Sequence, residues 1–270
     1  MQKTAVYTQL IHFFPWFSTF FAPVMHILVC GAGWGWQFRF PITVKCAIIG
    51  FTMIKLVAFL GNYGREYEKT RHNVAWIFES SLSFASRLSW QSKFKGNYAY
   101  MELSDLVNHW ADKQILSKKD GSPVIIPEEA PSRIYFLKPE TYMNLSGESI
   151  IEIANFFKIK PEETLIVHDE LELPLGTVSF KWSGGLGGHN GLRSTKAVFN
   201  TADFWRLRFG LSKPEGRDIA SYVLSAFSED EQIVLSQIFP QAEVLLAKAL
   251  TSKDPSKLLQ EWSKKKCAAV

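Results

Sequence analysis

The chain has 270 residues, 47% of them hydrophobic and 21% charged, a composition that excludes wholesale disorder, collagen-like repeats and a small disulfide-stapled fold. Its formal charge of +4 arises mainly in residues 1–52, which hold Lys3, Arg39 and Lys45 and no acid, leaving 27 bases against 26 acids in 53–270. Near-neutrality there argues against bulk capture of nucleic acid by charge, while leaving room for a local basic patch.

From Thr4 to Phe38 there is no Asp, Glu, Lys or Arg, a length sufficient to span a bilayer. Pro15, Pro23, Gly31, Gly33 and Gly35 interrupt any continuous helix, and no small-residue cleavage site follows a compact apolar core. Met53 stands directly before the first clean strand. Residues 1–52 are therefore read as upstream sequence outside the fold, with a membrane anchor or unusual signal as the alternative, and 53–270 as one domain.

After Met53, Ile54–Leu60 is a short apolar run ended by Gly61-Asn62, as in a buried strand. From Val74 the apolar residues Ile77, Phe78, Leu82, Ala85 and Leu88 fall on one helix face, with Asn73 placed to cap it. Between about Trp90 and Ser132 the pattern loosens and reads as a surface excursion. Arg133–Leu137 is a second strand, Ile150 to Phe157 a second amphipathic helix, and Thr164–Val167 a third strand. Thr177–Trp182 alternates as a strand and runs into the glycine-rich SGGLGGHNG at 183–191. A helix to about Phe199, a strand at Trp205–Leu211 and helical stretches near 217–224 and 229–250 complete the chain. Alternating strands and helices predict an α/β single domain, a twisted mixed and largely parallel sheet flanked by helices.

Four loops follow predicted strands and carry polar groups: GNYGREYEKTRHN at 61–73, KPETYMNLSG at 138–147, HDELELPLG at 168–176 and SGGLGGHNG at 183–191. If all the strands point the same way, these loops converge on one cleft. Histidine is the natural general base near neutral pH, and His72, His168 and His189 all lie in these loops. Asp169 is placed to hold a histidine in one tautomer, and Asn62, Asn144 and Asn190 offer amide donors to an oxyanion or a water. Taken singly, each of these residues is equally a turn or cap residue. There is no G-x-S-x-G, P-loop or H-E-x-x-H, and GGLGG at 184–188 lacks the dinucleotide pattern. The three cysteines, Cys30, Cys46 and Cys267, are odd in number with no C-x-x-C, which supports neither a disulfide framework nor a zinc site and suits reduced thiols in the cytoplasm. The residues alone reach a hydrolytic or transfer enzyme using a histidine base and amide donors, without metal.

The four loops in this order, joined by WRLRFGLSKP at 205–214, resemble bacterial-type peptidyl-tRNA hydrolase, from Met53 to about residue 250. The resemblance implies hydrolysis of the ester joining peptide to tRNA, recycling tRNA from stalled translation, by a cytoplasmic monomer that needs no metal or organic cofactor. It implies peptidyl-tRNA as partner, no DNA, and no membrane for 53–270. His72 matches the family's catalytic histidine, Asp169 its carboxylate partner and Asn62 an active-site asparagine. Tyr67, Tyr142, Met143, Asn144 and Asn190 match positions lining the site, and Lys181 and Arg208 match basic positions that contact tRNA phosphate. The chain departs from the family at Tyr63, where proline is usual, at Ser183, where a further glycine is common, and in a longer excursion at about 100–132. The alternative is a non-catalytic RNA-binding or splicing-factor relative on the same fold.

Overall fold

The computed structural model describes residues 52–268 except 117–121, 123, 215 and 217. The reading of residues 1–52 thus falls outside the described residues, Thr52 apart. Leu56–Phe59 (β1) is buried along its whole length, as expected of a strand enclosed on both faces. The elements that follow are α1 (Val74–Ser81), β2 (Gln91–Lys93), β3 (Gly96–Glu102), α2 (Leu103–Asp112), β4 (Arg133–Pro139) and α3 (Ser146–Phe157). Then come β5 (Thr164–Glu170), β6 (Thr177–Trp182), α4 (Asn190–Phe199), β7 (Trp205–Gly210), α5 (Ile219–Val223), α6 (Glu229–Thr251) and β8 (Lys265–Lys266).

The strands form one sheet in the order β2-β3-β4-β1-β5-β7-β6-β8. β4, β1, β5 and β7 run parallel, whereas β2–β3, β3–β4, β6–β7 and β6–β8 pair antiparallel. The mixed α/β fold is as predicted. Strand alternation divides the core. Val57, Phe59, Leu165, Val167, Leu207 and Phe209 pack in one layer with α1, α2 and α6, while Leu56, Ala58 and Ile166 pack with α3 and α4 on the other face. Gly147 lets α3 meet α4 closely, because a Cβ there would lie 2.4 Å from the Ser194 carbonyl oxygen. Among the described residues α6 is long and apolar enough to cross a membrane, yet Leu235, Ile238, Leu245 and Leu246 are buried in the core.

Two expectations are corrected. Residues 91–112 are not a surface excursion: β2 and β3 extend the sheet, and α2 buries Leu103, Leu106 and Trp110. Their hairpin alternation is broken by exposed β2, which hides the pattern from the sequence. Asn73 does not cap α1 with its side chain; its amide is used elsewhere.

Candidate active site

The carboxyl ends of β1, β4 and β5 deliver three of the four polar loops to one end of the sheet. The fourth starts from the other end, because β6 is antiparallel and its last residue, Trp182, pairs with Trp205 at the start of β7. The glycine-rich segment then returns along the sheet. Ser183 N–H donates to the Phe204 carbonyl at 3.2 Å, and Arg206 donates to the carbonyls of Gly185 and Gly184 at 2.7 and 3.0 Å. His189 finally reaches Asp169. Positive φ at Gly184, Gly187 and Gly188 makes this path possible. Ser183 also has φ of +51°, which explains why glycine suits that position, and its hydroxyl donates to Asp203 at 2.7 Å.

His72, Asp169, Asn62, Tyr67, Tyr142, Met143, Asn144 and Asn190 all line one cleft of about 830 Å³, together with His189, Lys213 and one side of α5. Lys181 and Arg208 are not among its lining residues. Asp169 is 3% exposed and its Oδ1 accepts from two imidazoles, His72 Nδ1 at 2.8 Å and His189 Nε2 at 3.0 Å.

The hydrogen bonds distinguish the three histidines. His189 Nδ1 accepts from Gly191 and Leu192 N–H at the start of α4, so its proton is on Nε2 and both nitrogens are committed. His168 is buried, and its Nδ1 donates to the Asp169 carbonyl at 2.6 Å. Its Nε2 is buried without a partner; burial first, then the neighbouring His189, hold it well below the ordinary histidine value. His72 donates through Nδ1 and keeps Nε2 available to the cleft. Burial alone would lower its pKa, but the charge of Asp169 and their hydrogen bond override this and raise it above 6.5. Asp169 itself is buried, which would raise it, yet the two imidazoles hold it far below the carboxylate range.

Asn62 is fixed from three sides. Its N–H donates to Asn73 Oδ1 at 2.8 Å, and its carbonyl accepts from Asn73 Nδ2 at 2.9 Å. Its own Oδ1 accepts from Met143 N–H at 2.8 Å. The side-chain oxygen is therefore spent, and the NH2 is the group left to act as a donor. Asn73 is a residue whose role the sequence reading missed; a second asparagine eleven residues from Asn62 gave no signal of pairing. His189, weighed as a base, instead orients Asp169 and caps α4.

Arg71 also escaped notice. Its guanidinium binds Ser225 Oγ at 2.6 Å, the Ala226 carbonyl and Glu231 at 2.6 Å, and stacks over Tyr222 at 4.6 Å. It ties the segment bearing His72 to the chain joining α5 and α6.

On the sheet face carrying His168 lie Lys181, Arg206 and Arg208, by strand alternation and register. Arg208 is buried and donates to Glu170 at 3.3 Å and to Ser179 Oγ at 2.7 Å. Burial, then Arg208, lower Arg206 to about 10, against the pull of Glu170. As for metal, the ligand-type atoms of His72, Asp169 and His189 lie within 4.8 Å of one another, but the contacts to the carboxylate are at hydrogen-bond lengths, and His189 Nδ1 serves α4.

Comparison with known proteins gives a consistent outcome. The family model for peptidyl-tRNA hydrolase matches residues 56–269. A peptidyl-tRNA hydrolase of Treponema pallidum is 40% identical over 221 residues, covering 80% of this chain and 98% of the relative. One of Desulfitobacterium hafniense is 38% identical over 186 residues, covering 68% and 86%. The crystal structure of peptidyl-tRNA hydrolase from Acinetobacter baumannii superposes with a TM-score of 0.60 at 28% identity, over 78% of this chain and 96% of that one.

Proposed function

The chain belongs to the peptidyl-tRNA hydrolase family and hydrolyses peptidyl-tRNA; we propose that it does so with His72 as the general base for an attacking water. Asp169 holds the imidazole so that Nε2 carries the lone pair, and stabilises the imidazolium that forms. The Asn62 amide donates to the developing oxyanion. Asn144 and Asn190 bind the peptide through its backbone, Tyr67, Tyr142 and Met143 shape the surroundings, and Lys181 meets tRNA phosphate. Arg208, buried and engaged, contributes positive potential more than a direct contact.

The observation that carries this reading is the bifurcated acceptor at Asp169. It leaves His72 as the histidine of the three with a nitrogen open to the cleft. A protein that merely bound RNA would not require that arrangement. The test is release of tRNA from an N-blocked aminoacyl-tRNA by the wild type and by His72→Ala. The expected loss is at least about a hundredfold, the scale of a lost general base; full activity in the variant would dismiss His72.

The same reading makes the protein a cytoplasmic monomer acting on RNA rather than DNA, with 53–270 off the membrane and residues 1–52 outside the catalytic fold. Mass measurement of the native protein tests the absence of a membrane tether: a mature chain beginning at Met53 is expected, and a membrane-extracted chain retaining the upstream residues would refute it.

A further inference from the structure

The cations on the β6–β7 face do not end at Lys181. The chain returns after α6 to add β8 to the edge of β6, pairing Lys266 with Thr177 and Lys265 with Val178. The return is firmly seated. Phe180 N–H donates to the Trp262 carbonyl at 2.6 Å and Cys267 N–H to the Gly176 carbonyl at 2.8 Å. The Ser263 carbonyl accepts from Ser179 Oγ and from Arg208 Nη2.

Alternation then sorts the three lysines. Lys265 lies over the Trp262 ring at 4.0 Å and pairs with Glu261 at 3.5 Å, on the side where Trp262 and Val178 join the core. Lys266, opposite Thr177, takes the other side, that of Ser179, Lys181, Arg206 and Arg208, and Lys264, just before the strand, lies near Lys181. Both are exposed, and neither forms an ion pair with a described residue. Lys264 is close enough that, after burial and the two arginines, it helps to lower the Lys181 amine. Glu170, the carboxylate among these groups, is already engaged by Arg208.

We propose that Lys264, just before β8, and Lys266 within it are phosphate contacts, extending the tRNA-binding face from Lys181 to the sheet edge. This rests on the reading of peptidyl-tRNA as substrate. Arg206 and Arg208 are buried and committed to internal acceptors, so among the described residues of this sheet face the cations left to meet a ligand are half-buried Lys181 and exposed Lys264 and Lys266. β8 lies three strands from β5, roughly 14 Å at the usual strand spacing, which is within reach of a nucleic acid whose 3′ end lies at His72. A polyanion suits such a face, since each contact releases counterions from the nucleic acid.

The experiment measures equilibrium binding of uncharged tRNA to the full chain at several salt concentrations, for the wild type, K264Q/K266Q and K181Q. Each lysine neutralising one phosphate contributes about 0.7 to 0.9 to the slope of log K against log salt. The double variant should flatten the slope by about 1.4 to 1.8, while hydrolysis of an N-blocked aminoacyl ester of a short oligonucleotide stays at the wild-type rate. A slope unchanged in K264Q/K266Q but flattened in K181Q overturns the role of β8 and leaves the substrate reading intact. An unchanged slope in both refutes the phosphate role of the whole face. Loss of the short-substrate activity in K264Q/K266Q assigns the lysines to the fold and also overturns the proposal.

Discussion

Replacing Asp169 with Asn tests the catalytic geometry most directly, because it removes a charge while keeping the shape. Both imidazole contacts fall on the same oxygen, Oδ1, at 2.8 and 3.0 Å, so an amide oxygen in that place still accepts from both. What disappears is the attraction between the carboxylate and the imidazolium that His72 becomes on taking the proton of water. Two unit charges about 4 Å apart attract by about 4 kcal/mol at an effective dielectric constant of about 20. Proton transfer is incomplete at the transition state, so about 2–3 kcal/mol is lost, or about 30- to 150-fold in kcat. KM should change little, because Asp169 is buried behind the imidazoles. The assay is steady-state release of tRNA from N-blocked aminoacyl-tRNA across pH. In the wild type Asp169 holds His72 above 6.5, so the base form appears, and activity rises, as pH climbs through that raised value. In the variant burial acts unopposed, and the acid limb should move below 6.5. Stability follows the opposite sign for the acid. Asp169 is depressed in the fold, so its contribution is present above about pH 4 and lost progressively as pH falls below that. The gap in Tm between wild type and variant should therefore narrow in acid. Asp169→Asn combined with His72→Ala should be no slower than His72→Ala alone, since the two act as one unit. A folded Asp169→Asn enzyme with kcat within a few-fold of wild type and an unmoved acid limb would refute the reasoning.

Asn62→Asp separates two roles of one side chain: it keeps an acceptor for Met143 N–H but replaces the donor facing the cleft. We expect kcat to fall by about 10² to 10³, the scale of a lost oxyanion donor, with the melting temperature nearly retained; an active variant would remove Asn62 from the oxyanion role. Arg71→Met cuts the tie between the His72 segment and the α5–α6 junction. Breaking a buried ion pair costs about 3–5 kcal/mol, and because Glu231 is partly exposed we expect about 2 kcal/mol, read from the denaturant midpoint. KM should rise as well, since Ile219, Val223 and Leu224 wall the cleft; unchanged stability and KM would show that the tie is idle.

Much of the frame was legible in short stretches of chain. The all-buried run at β1, the alternation of β6 and the 3.6-residue spacing of α3 each signal their own structure, because burial of a strand or helix face imposes a local period. The β2–β3 hairpin was lost for the same reason in reverse: exposed Gln91–Lys93 carries no buried face to set a period. The eight residues expected at the cleft were identified as a set through several long motifs in register, and they do meet there.

The linear order of residues thus determined most of the elements, the β2–β3 hairpin and α2 apart, and which side chains are chemically able to act. It did not determine which histidine has a free nitrogen, since that depends on partners far away in sequence. His72 is 97 residues from Asp169, and His189 is 20 residues beyond it on a loop that begins at the opposite end of the sheet. Nor could it show that Asn73 clamps Asn62 rather than capping α1, or that a C-terminal lysine segment lies beside Arg208. Those assignments belong to the tertiary structure, because a hydrogen bond or a charge contact is a property of distance and direction, which only the packed sheet supplies.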